Sequence, residues 1–223
     1  MPKGCRGRLS LGQILLSAPV YAVGMRDNGY SKRARAAREA QAELHAAFAE
    51  VVDRNDTADP RTQRWNTAIA MFHAACARVY VGALREVHEG TARVSEIGTR
   101  DILDFLEADP MFFRSGYMKE QLLTELKRRG LDPGEIARLL TITLAFVQHS
   151  RRRRELRYYC LVAARVATPD FRAALEALEL GEDADVRLRA NWVLAALDGK
   201  WTSIRHAARR SWESNPDERM IPR

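Results

Sequence analysis

Apolar side chains in this chain recur every third or fourth position and almost never every second one. Ala37, Ala40, Leu44, Ala47, Phe48 and Val51 fall on one side of a helix predicted over residues 31–53. Asn55-Asp56 and Asp59-Pro60 end it, and a second helix is predicted over 60–89, capped by Asp59 with Pro60 as its first residue. The apolar positions of that helix run from Trp65, Ala68, Ile69 and Phe72 to Cys76, Val79, Tyr80, Ala83 and Leu84. They cover more than one face, so burial on two sides is expected, and the pair reads as a long helical hairpin. Residues 90–98 are a connector. A short helix follows over 101–107 and stops at Asp109-Pro110.

The next helix, over 115–129, carries the stripe Met118, Leu122, Leu123 and Leu126, and Gly130 closes it. Asp132-Pro133-Gly134-Glu135 is a helix start with cap, proline and acid in sequence. Thr168-Pro169-Asp170 opens another in the same way, and a last helix is expected over 201–212. No stretch alternates with a period of two for long enough to propose a strand.

The stretch 151–197 repeats at an offset of 30 residues: Cys160 falls on Ala190, Val162 on Trp192, Ala163 on Val193 and Ala164 on Leu194. In the second copy, Glu182-Asp183-Ala184-Asp185-Val186-Arg187, then Ala190 and Val193-Leu194, resembles the second helix of a HEAT-like repeat. The resemblance implies acidic caps, an apolar seam, and an Arg187 that is partly buried and ion-paired. It covers the C-terminal half and is only architectural upstream. The first copy departs from it, with Arg152-Arg153-Arg154-Glu155 where the acidic cap belongs. The expected fold is all-α, an α-solenoid-like stack of helical hairpins behind the N-terminal hairpin. The expected divisions are a poorly ordered basic arm (1–29), the long hairpin (30–95), HEAT-like repeats (96–214) and a tail (215–223). Such scaffolds carry many functions, so the fold alone assigns none.

Composition shifts attention to charge. The chain carries 36 Lys and Arg against 29 Asp and Glu, a net charge of +7. Nearly all of the basic residues are Arg; only Lys3, Lys32, Lys119, Lys127 and Lys200 are Lys. Basic groups are in excess over 1–100 and again over 151–223, while acidic groups are in excess over 101–150. Guanidinium forks match phosphate and carboxylate geometry, so an anionic partner is one reading of the excess. The three cysteines, Cys5, Cys76 and Cys160, are widely spaced and odd in number, which argues against a disulfide framework and for a reducing compartment. No apolar run is long enough to cross a membrane. Lys3, Arg6 and Arg8 precede an apolar run, and Ala22-Val23-Gly24 has the look of a cleavage site. Gly12 and Gln13 interrupt that run, however, so the expectation is a cytoplasmic protein without a secretory signal.

Catalytic spacing is scarce. Gly4, Gly7 and Gly12 lack the strand, helix and Lys of a phosphate loop, and no HExxH is present. His45, His73, His88, His149 and His206 lie apart, and Cys76 and Cys160 sit on apolar stripes. No catalytic residue, metal site or cofactor is expected. The densest feature is Arg151-Arg152-Arg153-Arg154, where a helix is expected to begin. Cations there oppose the macrodipole, so the run lies in the preceding loop, pairs with the acidic segment 101–135, or serves a ligand. Arg157 and Tyr158 adjoin it, and stacking of the repeats would bring Arg189 near, with Arg205, Arg209 and Arg210 extending the series. These ten residues form the candidate face for an anionic partner. The function expected is a non-catalytic adaptor that holds a protein partner on an extended charged face. The alternative is a nucleic-acid-binding protein using the same arginines, extending to the base excision of HEAT-like DNA glycosylases. No motif here carries those enzymes' positions over. Trp192 reads as core.

Overall fold

Turns in this chain fall where the sequence supplies caps, prolines and glycines. The computed structural model describes residues 28–149 and 153–200. Among these, nine α-helices and one 3-10 turn form, and there is no strand. The expected basic arm (save Asn28 and Gly29), the helix at 201–212 and the tail lie outside the described residues.

Helices α1 (Tyr30–Ala49) and α2 (Pro60–Val79) pack along each other as the expected hairpin. The first ends at Ala49, short of the expected Asp53. Asp53 is spent on the turn instead: its carboxylate accepts from Asn55 N at 2.9 Å, and its carbonyl accepts from the Thr62 hydroxyl at 3.0 Å. The second expected helix, 60–89, is two helices. Tyr80 takes an extended conformation, Gly82 has φ 54° and ψ −137°, and α3 (Ala83–Glu89) begins after it. A side chain at Gly82 would be strained in that region of backbone space, which glycine enters freely. The break turns Tyr80 into the core, where its ring meets Phe105 at 5.8 Å and Phe112 at 5.4 Å. Tyr30 closes on the edge of Phe105 at 5.3 Å, so one aromatic node ties the hairpin to the rest. The buried positions of α2 (Thr62, Ala68, Phe72, Ala75, Cys76 and Val79) form a single stripe, and Met71 is exposed. Burial on two sides is therefore not found.

After the 3-10 turn at Val94–Glu96 come α4 (Thr99–Ala108) and α5 (Ser115–Arg128). Then follow α6 (Pro133–His149), α7 (Leu156–Val166), α8 (Pro169–Glu179) and α9 (Ala184–Leu197). Helices α6, α8 and α9 start at caps read in the sequence, whereas α4, α5 and α7 start without a side-chain cap. Asp132 and Glu135 exchange side-chain bonds with each other's backbone N–H at 2.8 and 3.0 Å, a capping box. Thr168 accepts from Phe171 N, and Asp183 accepts from both Asp185 N and Val186 N. Helix α6 packs against α7 and α8, and α9 packs against α7 and α8. Cys160 and Trp192 thus lie on neighbouring helices, and Cys160, Val162, Ala163, Ala190 and Val193 are all fully buried between them. The buried side chains form one continuous core from Tyr30 to Ala196.

Candidate binding site

The arginine run is drawn inward by the acidic segment that precedes it. Arg151, Arg152, Arg205, Arg209 and Arg210 lie outside the described residues. Glu155 stands at the N-cap of α7, so Arg153 and Arg154 precede the helix and do not oppose its macrodipole from within the first turn. Arg153 grips Asp109 with both guanidinium nitrogens, at 2.7 and 3.1 Å, lies 3.3 Å from Glu155, and stacks over Phe146 at 4.4 Å. Asp109 also receives the ammonium of Lys119 at 2.6 Å. The Lys119 side chain is wholly buried. Burial pushes the Asp109 carboxyl up, but Lys119 and Arg153 outweigh it and hold the group below the usual carboxylate range. Burial pulls the Lys119 ammonium below its usual value, against the attraction of Asp109. Two cations and two carboxylates therefore make an internal cluster at the base of the 109–114 loop. That loop has Asp109 and Arg114 at positive φ, 42° and 62°. Met111 Sδ lies against the same two cations. Tyr159, beside the cluster, is fully buried against Phe146 at 4.4 Å, and burial raises its phenol well above the usual value.

Arg154 and Arg157 face the other way. Arg154 bonds both oxygens of Glu120 and lies over the ring of Tyr117 at 4.0 Å. Arg157 reaches Glu120 at 3.6 Å, donates to the Tyr158 hydroxyl at 2.7 Å, and keeps 45% of its side chain exposed. Arg189, expected on the same outer face, is inside: it is 3% exposed, and its Nε donates to Val147 O at 2.7 Å, near the end of α6. Arg187, expected to be partly buried and ion-paired, is the one of the two that stays outside. Arg187 is exposed and donates to Gly181 O and Glu182 O. The spacing explains the exchange. Arg189 shares a stripe with buried Val193 and Ala196, whereas Arg187 lies one turn before exposed Asn191.

Between α5, the start of α7 and the 3-10 turn at Val94–Glu96 lies an open trough of about 280 Å³. Tyr117, Glu120, Gln121, Thr124, Glu125 and Arg128 line it from α5, with Tyr158 and Val94 opposite. Tyr117 is 52% exposed. Glu125 is held by Arg129 at 3.0 Å. The fork of Arg129 also clamps the 3-10 turn through Ile97 O at 2.6 Å and Ser95 O at 2.9 Å. The trough thus has a fixed rim on each side. Of the sequence candidates among the described residues, Arg154, Arg157 and Tyr158 gather at this place. Tyr117, Glu120 and Arg128 carry no sequence signal of a site, because a polar stripe opposite an apolar one is what any surface helix shows.

Cys160 is buried and its thiol is pushed up to about 12 by burial; Cys76 is raised to about 11 by the same cause. Such thiols are poor nucleophiles. Among the described residues no group of three or more His, Cys, Asp or Glu side chains is placed to hold a metal ion, and no helix is long and apolar enough to cross a membrane. Compared with known proteins, the chain matches no family model, no curated protein and no solved structure.

Proposed function

We propose that this protein is a non-catalytic helical binding protein that holds a protein partner, and that the partner docks in the trough between α5 and α7. The observation that carries the reading is Tyr117. Its ring is half exposed at the trough, yet it is fixed from behind by Arg154, itself fixed by Glu120. A rigid aromatic beside arginines in an open concavity is what protein interfaces use as an anchor, because little side-chain entropy is lost on docking. The pairing of α6 with α8 and of α7 with α9 supports two stacked hairpins of HEAT-like type, a scaffold that presents such concavities. The engagement of Arg153, Arg154 and Arg189 with internal acceptors leaves fewer guanidinium groups for phosphates, which favours a protein over a nucleic acid.

The test is a photo-reactive amino acid placed at Gln121, which is exposed in the trough, and at Ala173, exposed on α8, in cells that make the protein. The expected result is a discrete protein adduct from position 121, absent from position 173 and lost when Tyr117→Ala is added. Equal adducts from both positions, or an adduct to nucleic acid alone, would refute the proposal.

A further inference from the structure

Resting on the reading of the trough as a partner site, we infer that the segment it takes is a short, extended, acidic peptide whose carboxylates meet Arg128 and Arg157. The argument begins with dimensions. From Tyr117 to Arg128 the trough follows α5 for about 16 Å at 1.5 Å per residue. An extended chain rises about 3.3 Å per residue, so about five residues fill it.

Charge gives the sign. Carboxylates in the trough wall are already neutralised by the fold: Glu120 by Arg154, Glu125 by Arg129. Arg128, exposed at one end, pairs with no carboxylate among the described residues. Arg157, toward the other end, meets Glu120 only at 3.6 Å and stays 45% exposed. The surplus charge of the trough is therefore positive and sits at two points. Two separated cations suit two carboxylates of a peptide. A phosphate backbone, with its closely spaced charges, calls for a continuous row. Beside these arginines in the trough stand the exposed Gln121 amide, which offers both donors and an acceptor to peptide groups, and the half-exposed Tyr117 ring. An extended strand points alternate side chains the same way, so acidic residues alternating with apolar ones would set the acids on the arginines and the apolar groups over the rings.

The experiment is a nitrogen–proton correlation titration of the full, isotope-labelled chain. The probes are a capped hexapeptide alternating glutamate and leucine, its glutamine–leucine and lysine–leucine counterparts, and a single-stranded hexanucleotide. The glutamate peptide should shift the amides of 117–128 and bind about tenfold more tightly than the glutamine peptide, the gap closing as salt is added. Arg128→Glu and Arg157→Glu should each remove most of that gap, and the double variant should bind the lysine peptide in preference. That reversal of preference cannot arise from misfolding. If the glutamine peptide binds the same amides as tightly, the partner site stands and the acidic assignment is overturned. If only the hexanucleotide shifts 117–128, the peptide assignment is overturned. If no probe shifts them, the partner site falls with it.

Discussion

Asp109→Asn tests whether the arginine run is held by the fold. Asparagine tolerates the left-handed backbone at this position (φ 42°, ψ 49°) and still offers an oxygen to Lys119, so what is lost is the charge. Lys119, wholly buried, and Arg153, 10% exposed, would then share the charge of Glu155, which lies near both. Removing one partner of a buried ion pair costs about 3–5 kcal/mol. The Asp109 side chain is 33% exposed, so water offsets part of this and the expected loss is about 2–4 kcal/mol. Lys119→Met should behave differently. It removes a buried cation, keeps comparable volume, and leaves Asp109 with both hydrogen bonds from Arg153. Its expected effect is within about 1 kcal/mol of zero, in either direction. The double variant should be more stable than Asp109→Asn alone, by about 1 kcal/mol or more. Urea unfolding at neutral pH, read as the shift in midpoint at constant slope, measures all three. If Lys119→Met costs as much as Asp109→Asn, or if the two losses add, the cluster does not act as described.

Three further outcomes follow from the same geometry. The folded-state pKa of Asp109 lies below the unfolded value of about 3.9, so its contribution is complete above that pH and is lost as the pH falls through the folded value. The gap in unfolding midpoint between the parent and Asp109→Asn should therefore narrow below about pH 4. Gly82→Ala should cost about 1–3 kcal/mol by thermal or urea unfolding; no atom would crowd the new Cβ, so the cost is backbone strain alone. Arg189→Met should cost about 1–3 kcal/mol in the same assay, because Val147 O near the end of α6 loses a buried donor. Arg187→Met, on the exposed side of the same helix, should stay within about 0.5 kcal/mol. Equal losses at the two arginines would contradict the placement of α9.

Four helix starts were legible because they carry their own signals. Asp59-Pro60, Asp132 to Glu135, Thr168-Pro169 and Asp183 start helices by short-range hydrogen bonds that need no tertiary context. The split at Tyr80–Gly82 was not legible, because the apolar period runs straight through it. After the break the Tyr80 ring meets Phe105 and Phe112, partners far along the chain that the local period does not reveal. The neighbouring of α7 and α9 agrees with the 30-residue offset at three matched pairs, Cys160 and Ala190, Val162 and Trp192, and Ala163 and Val193, which are all buried; at the fourth, Ala164 is exposed where Leu194 is buried. The fate of the arginines was half legible. An acidic segment before a basic one suggests pairing, and Arg153 and Arg154 do pair with Asp109 and Glu120. Which carboxylate meets which guanidinium depends on how α5 and α7 cross, and sequence spacing does not carry that. The trough needs Tyr158 and Val94 set against Tyr117, Glu120 and Arg128 of α5, a meeting that only the packing creates.

The central functional claim is that the charged surface serves a protein partner and not nucleic acid. Titration of a labelled duplex and a labelled single strand at two salt concentrations tests it most directly. The account predicts a logarithmic slope of affinity against salt equivalent to about one phosphate or fewer, unchanged by Arg157→Glu. A slope of about −0.9 for each of several phosphates, flattened by that substitution, would contradict it.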